Sequence, residues 1–492
     1  MTKKIIFFLD LFTLHFGLAD FFQKNSNYEL FALIDTTDKP KKFFQSQKIV
    51  NFSKTWYYHD NIDPKKKCKD DYLQNFASKY HLNHKQMIEN DRFFSHFNNF
   101  YNFSDDEITS ILTQEAKLYE NIIDTCKPDF LIMFQPSLRH EFVFYHVCKM
   151  NGVIPLIINP SIMGYKSYIS DQVGLSKNIN LDTKISTSKS FEELQQYYLE
   201  HNVNQQIIDY VNSFSNSSSN LIKAGIEFLF HSNNSNEKTH YTYFGRKKIT
   251  VLIDVIRNKL RKKLRKNFLD RNLKKQIPSK NFIYFPLQVE PDRNLLLGAP
   301  DFTDQINSIK NIIHALPKNY ILCVKEHPGQ KKTWRPISFY KEILNLENVI
   351  FLHPSVKSSK ILRKTSMVIT AVGTSGFEAL FYGKPVIVFA ETLYSILPNV
   401  QKMNKFENLP SLIVNGLKMK TSPEPLERFL LSLEKNSFDF DLFGYYSMQA
   451  HDFFYDSNLI DVEISDEKME KFLKKNVNIF QSIGNHIIEH TN

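Results

Sequence analysis

Between residues 283 and 389, short apolar runs alternate with helix-like segments, and this alternation limits the fold more than any other feature of the chain. The runs are residues 283–285, 320–325, 349–352, 367–370 and 386–389. Neighbouring parallel strands need a long crossover between them, usually a helix, so this rhythm specifies a parallel α/β sheet. Polar residues fall just after the strands. Lys325-Glu326-His327-Pro328-Gly329 follows the second run, and Gly373-Thr374-Ser375-Gly376 follows the fourth and opens a helix. Ligands of open parallel sheets bind beyond the carboxyl ends of the strands, so half of an active site is expected here.

The N-terminal half shows the same style. Residues 4–9 and 28–34 read as strands around a helix at 12–22. Lys3-Lys4 and the apolar run after them look like a secretion signal, but Asp10, His15 and Asp20 interrupt it and no small-residue cleavage site follows. Ser104 and Glu107 have capping-box spacing, which starts a helix over about 105–125, and Pro128 stops it. Residues 129–134 and 153–158 are strands on either side of a helix at 140–150 that Asn151-Gly152 closes. Residues 36–103 and 435–465 have only weak periodicity. Residues 191–230 read as two helical pieces broken at 215–220, and 425–434 and 466–480 as helices of the tail. With 492 residues the chain exceeds one ordinary core. The expected division is a Rossmann-like domain at 1–243, a basic helical linker at 244–279, a second Rossmann-like domain at 280–420, and C-terminal helices at 421–492 returning to the first.

Net charge is +10, and residues 244–280 hold 14 Lys and Arg against Asp254 and Asp270. The rest of the chain is therefore near neutral, which excludes a generally basic nucleic-acid coat. A helix at 248–268 would carry Val251, Val255, Leu260, Leu264 and Phe268 as an apolar stripe. It is either a solvated helix between domains or an attachment to an anionic inner-membrane face. No run of 18 apolar residues is present for a spanning helix. Cys68, Cys126, Cys148 and Cys323 lack paired spacing, so a reducing, cytoplasmic setting is expected rather than a disulfide scaffold. No zinc-type spacing and no nucleophile-elbow motif occurs.

Within the second domain, small residues and hydroxyls at Gly373-Thr374-Ser375-Gly376 suit an anion at a strand-to-helix turn. The alternative is a capped, closely packed helix. Glu378 could accept from ribose hydroxyls. His327 could donate to phosphate or transfer a proton, with Lys325 and Lys331 as further cations. Glu290 and Asp292, around Pro291, form either a held acidic loop or a surface turn.

Tyr284-Phe285-Pro286-Leu287-Gln288, Glu290, Asp292, Val324-Lys325-Glu326-His327-Pro328 and the stretch from Gly373 to Val386 together resemble the capsule polysaccharide biosynthesis family. That family includes bacterial transferases that move Kdo from CMP-Kdo. The resemblance implies a GT-B fold, two Rossmann-like domains facing across a cleft, and a glycosyltransferase using a nucleotide-sugar, CMP-linked by preference. It implies nucleotide-phosphate contacts from His327, Lys325, Thr374, Ser375 and Gly376, and a ribose contact from Glu378. It gives Glu290, Asp292 and His327 as catalytic candidates, and Gln135, Ser137, Arg139 and the loop 159–164 as the acceptor side. No metal, tightly bound cofactor or nucleic acid is expected; the acceptor would be a glycan or lipid-linked glycan. The alternatives are a polyol-phosphate transferase with a CDP-linked donor and a non-catalytic glycan-assembly protein.

Overall fold

A computed structural model describes residues 2–491 except 64, 67, 69–70, 84–86, 89–90, 96–98, 182–187, 202–217, 232–234 and 331–334. Its strands are β1 (Lys4–Leu9), β2 (Glu29–Ile34), β3 (Lys54–Tyr57), β4 (Phe130–Phe134), β5 (Ile154–Pro160), β6 (Lys166–Ser170), β7 (Phe282–Pro286), β8 (Ile321–Lys325), β9 (Val349–Leu352), β10 (Met367–Thr370), β11 (Val386–Val388), β12 (Val400–Lys402) and β13 (Phe438–Asp439). They form two sheets in two units. The first unit is Met1–Ser176, Asn202–Val251 and Ser437–Asn492; the second is Lys177–His201 and Leu252–Asn436.

The first sheet runs β3-β2-β1-β4-β5-β6-β13 and the second β9-β8-β7-β10-β11-β12. Counted within each unit, both begin in the order third, second, first, fourth, fifth, sixth. That is the doubly wound order of nucleotide-binding sheets, and it makes this a two-unit, GT-B-like α/β architecture. The second sheet is parallel throughout. In the first, β6 turns back antiparallel on β5, and β13 pairs antiparallel with β6.

Alternation along β1 shows why helices cover both faces. Ile5, Phe7 and Leu9 enter one core layer with Leu14, Leu18 and Phe22 of the helix Thr13–Asn25. Ile6 and Phe8 enter the other with Ile111, Leu118 and Ile122 of the helix Asp105–Cys126. A strand apolar on both sides must be buried on both sides. The Ser104 hydroxyl accepts from the Glu107 amide, and the Glu107 carboxylate accepts from the Ser104 amide, closing the expected capping box. Lys127 ends that helix at φ +43°, just before Pro128.

The C-terminal segment completes the first unit's core. The helix Val477–Thr491 packs on Thr13–Asn25, with glycines where rings cross. A Cβ on Gly17 would fall 2.3 Å from Phe480, and one on Gly484 would fall 2.2 Å from Phe21. The Gln449 amide oxygen accepts from the Thr13 backbone at 2.6 Å and from its hydroxyl at 2.8 Å.

The weakly periodic stretches hold ordered elements: β3, the helix Leu442–Phe453 and β13. Residues 177–201 group with the second unit, whereas the sequence reading ran the first domain unbroken to 243. Helices Phe191–Glu200 and Ser218–Ile226 are present; of the expected break at 215–220, residues 215–217 lie outside the described residues and 218–220 are the first turn of the second helix.

His15 is completely buried, and neither ring nitrogen has a hydrogen-bond partner. Burial pushes its imidazole down to about 4, so it is neutral in the fold. The unfolded chain takes up that proton near pH 6.5, so stability is greatest above that pH and falls as pH drops toward 4. The full loss is about 3 kcal/mol. His15→Leu should flatten this dependence, read as urea unfolding midpoints at pH 7 and pH 5. An unchanged difference between the two midpoints would show that His15 does not cause it.

Candidate active site

The switch point of the second sheet lies between β7 and β10, where the chain leaves in opposite directions. The Gln288 side-chain amide, just past β7, donates to the Thr370 hydroxyl at 3.1 Å, and the Gly373 amide donates to the same oxygen at 3.1 Å. A Cβ on Gly373 would sit 2.5 Å from the Gln288 nitrogen, so only glycine lets the two loops approach this closely. The Tyr394 hydroxyl donates to the Gly373 carbonyl at 2.7 Å and lies 2.5 Å from where a Gly376 Cβ would be. Gly376 is buried, and its own amide donates to the Gly373 carbonyl. It therefore packs the turn, and its N–H is already used where the sequence reading offered it to phosphate. Thr374 is exposed and Ser375 half-exposed on the open side. The helix they begin, Thr374–Leu380, has only seven residues, so the hydroxyls matter more than its dipole.

Below the turn is a polar cluster. Lys325, at the end of β8, is 4% exposed and its ammonium donates to the Ser358 hydroxyl at 3.0 Å. Burial lowers its pKa, while the nearby Glu378 carboxylate pulls it up. The buried Tyr284 hydroxyl makes side-chain hydrogen bonds with Ser358 and Ser375 and also feels Glu378. The structure thus brings Lys325, Ser375 and Glu378 together.

His327 is exposed, and its Nδ1 accepts from the Gly329 amide at 2.9 Å. That bond assigns the neutral ring's proton to Nε2. Loss of hydration around the ring nitrogens pushes the imidazole down to about 4; the Glu326 charge opposes this, and Lys325 and Arg335 add to it. His327 is thus a neutral donor at physiological pH. It lies two strands from Thr374 across β7, about 10 Å at the usual strand spacing.

The loops after β7 and β8 are fastened by Arg335, whose side chain is completely buried. Its Nη1 pairs with the fully buried Glu326 carboxylate at 2.7 Å, and its Nη2 donates to the Gln288 carbonyl at 2.7 Å. Arg265 lies 3.6 Å from the other Glu326 oxygen and donates to the Tyr340 hydroxyl at 2.8 Å. Glu290 pairs with Arg335 at 3.4 Å and accepts from Gln305, while Gln330 bonds its backbone on both sides. Its carboxylate is therefore committed to the framework, unlike the free catalytic acid of the sequence reading. Asp292 is half-buried at the start of the short helix Arg293–Leu296. Lys331 lies outside the described residues.

In the first unit the three acceptor-side candidates are also engaged. Gln135 donates to Asn159, and the Ser137 amide and hydroxyl both donate to Glu141, at 2.6 and 3.2 Å. Arg139 has a completely buried side chain, bonded to Asp91 at 2.6 Å and to both Glu115 oxygens. It leaves no donor surface for an acceptor. The sequence reading passed over the groups beside them. Asp35, just past β2, receives His140 at 2.8 Å and His59 at 3.1 Å. Burial opposes its charge, but the two imidazoles outweigh burial and hold the carboxyl well below its usual range. The same pairing raises His140 despite its burial. Asp10, just past β1, is raised well above the usual carboxyl value by burial and then by Glu141. Both acids directly follow apolar strands, which is the signal that marks them. Among the described residues, no group of three or more His, Cys, Asp or Glu is arranged to hold a metal ion.

Removing Arg335 would leave Glu326 charged and buried with only the more distant Arg265 as a countercharge. Arg335→Ala should cost roughly 3–5 kcal/mol in urea unfolding, and adding Glu326→Leu should recover a large part of it. Strictly additive losses in the two changes would show that the pair is not coupled.

Residues 191–403 match the family model described as capsule polysaccharide biosynthesis protein. A curated relative, protein FixF of Sinorhizobium fredii (strain NBRC 101917 / NGR234), is 27% identical over 136 residues, 26% of this chain. The match spans only 31% of that relative's length. Among solved structures, the β-Kdo 2,7 transferase of Thermosulfurimonas dismutans KpsC aligns at 16% identity and TM-score 0.29, covering 65% of this chain and 89% of that one. A glycosyltransferase from Rickettsia africae ESF-5 aligns at 10% identity and TM-score 0.26, covering 98% of each. These low scores add nothing to the sheet orders above. The family match, over less than half of the chain, contains both the His327 and the Gly373 motifs.

Proposed function

We propose that this protein is a glycosyltransferase of capsule or related surface-polysaccharide synthesis, moving a sugar from a nucleotide donor to a glycan or lipid-linked glycan. The observation that carries this reading is the donor set at the switch point of the second sheet. Lys325, the Nε2–H of His327 and the hydroxyls of Thr374 and Ser375 all lie at or just past the carboxyl ends of its strands. Hydrogen-bond donors and one cation suit a nucleotide phosphate. Glu378, which interacts with Lys325, would accept from ribose hydroxyls.

In the reaction an acceptor hydroxyl oxygen attacks the anomeric carbon and the bond from that carbon to the phosphate oxygen breaks. The electron pair leaves on the phosphate, where Lys325, His327 and Thr374 stabilise the growing charge. Glu290 acts as a positioning residue through Arg335. The proton of the attacking hydroxyl needs a base, and Asp10 and the His140–Asp35 pair are the first unit's candidates. This revises the acceptor-side assignment of Gln135, Ser137 and Arg139, which serve as framework. A CMP-linked donor is favoured by the family resemblance, and the nucleotide-sugar requirement favours the cytoplasm.

His327→Ala should lower transfer by roughly a hundredfold while the thermal midpoint is kept. Calorimetric titration with CMP, CDP, UDP and GDP identifies the donor: CMP preference supports the Kdo-like reading. A CDP preference would favour a polyol-phosphate donor, and binding of none would favour a non-catalytic assembly protein. Transfer unchanged by His327→Ala would remove His327 from the phosphate site.

A further inference from the structure

The helix Lys248–Asn272 presents an apolar face that packs on nothing. Ile249, Ile253, Ile256, Leu260 and Leu264 are 73%, 52%, 62%, 60% and 61% exposed. At 3.6 residues per turn these five positions fall within a strip about 80° wide along nearly the whole helix. The opposite side faces the protein. Arg265 bonds Tyr340 and Gln330 there, Phe268 packs at the edge of the second unit's core, and Leu269 and Leu273 are buried in it. The exposed strip therefore differs from the stripe read from sequence: Val251 and Phe268 turn inward, and Val255 lies off it.

Charge flanks the strip on both sides. Arg257 lies on one border, Lys259 and Lys263 on the other, and all three are exposed. Lysine and arginine at the borders of an apolar strip can reach up to phosphates while their stems lie along hydrocarbon. A second exposed apolar segment adjoins the start of the helix. The Lys248 ammonium donates to the Leu229 carbonyl at 2.6 Å, holding there the segment that exposes Leu221, Ile222, Ile226 and Phe230. Of the twenty large apolar side chains exposed among the described residues, twelve lie in these two segments. Scattered exposed leucines need no explanation, but one row this long on a basic helix does.

We infer that this helix lies in the surface of an anionic membrane, with its Ile249–Leu264 strip among the acyl chains and its basic borders at the headgroups. The charge selects the occupant. A basic rim around an apolar row repels a second copy of itself and matches anionic lipid. No helix among the described residues is long and apolar enough to cross a membrane, so the contact is with one face. The inference is independent of the proposed transfer activity and would place the protein beside lipid-linked acceptors.

Flotation of the full chain with vesicles tests it, comparing phosphatidylcholine alone with phosphatidylcholine containing phosphatidylglycerol. Wild type should float with the anionic vesicles and much less with the neutral ones. Ile253→Asp/Ile256→Asp/Leu260→Asp should lose flotation on both. Arg257→Gln/Lys259→Gln/Lys263→Gln should lose the anionic preference by tenfold or more, roughly, at low salt. Circular dichroism melts and nucleotide titration of both variants should match wild type, since none of these side chains is in the second unit's core or crevice. Wild type that ignores anionic vesicles at low salt overturns the inference. So does an apolar variant that floats like wild type, or a wild-type dimer in light scattering that the apolar variant dissolves without any vesicle binding.

Discussion

Arg335 is the residue on which the second unit's working edge depends. A guanidinium completely removed from water is tolerable only when its donors are all satisfied and its charge is met. Glu326 meets the charge, and the Gln288 carbonyl and Glu290 take remaining donors. Those acceptors belong to the loops after β7 and β8. One buried cation thus fixes two loops whose backbones have no sheet ladder to hold them. His327 follows Glu326 directly, and its amide donates to the same carboxylate at 2.7 Å. The orientation of the exposed imidazole therefore rests on an ion pair that is wholly buried.

The first unit uses the same device with different chemistry. Arg139 is buried against Asp91 and Glu115, and the Tyr58 hydroxyl donates to Glu115 from the other side. The residue next to Arg139 is His140, which pairs with Asp35 at the end of β2. Here too a buried arginine stands beside a titratable group, although His140 is itself buried. In both units the charged residue most visible as a motif member is scaffold, and its neighbour carries the titratable chemistry.

That pattern explains what was legible in the sequence. Strands buried on both faces, such as Lys4–Leu9 and Met367–Thr370, announce themselves because both alternating sets are apolar. The capping box at Ser104 and Glu107 was legible because two side chains and two amides satisfy one another locally. The short edge strand β13 was not: Phe438–Asp439 has two residues, and its pairing depends on β6, more than 260 positions away. Site residues divide in the same way. Strand-end position marked Lys325, His327 and Thr374, and the structure keeps them at one sheet edge, whereas Arg139 and Glu290 looked available because sequence does not show which carboxylates and guanidiniums are already paired. Asp10 and Asp35 were visible as strand-end acids, but one was read only as an interruption of an apolar segment and the other fell at the start of a stretch with no period.

The electrostatics of the two crevices then differ in a way that no composition could show. At the second sheet, hydroxyls and a neutral imidazole face outward above a buried lysine whose charge burial disfavours. Such a site has donors without a large fixed charge. An incoming phosphate would therefore strengthen the lysine's hold on its proton, because the anion offsets the burial that weakens it. At the first sheet, Asp35 is held ionised by two imidazoles while Asp10, beside Glu141, is pushed toward its protonated form. Two carboxyls with opposed tendencies at adjacent strand ends are the arrangement from which acid and base roles arise, since each environment favours a different protonation state at one pH. The doubly wound order repeated in both units thus sets two edges of unlike character: one carrying neutral donors over a buried lysine, the other two carboxyls of opposed protonation.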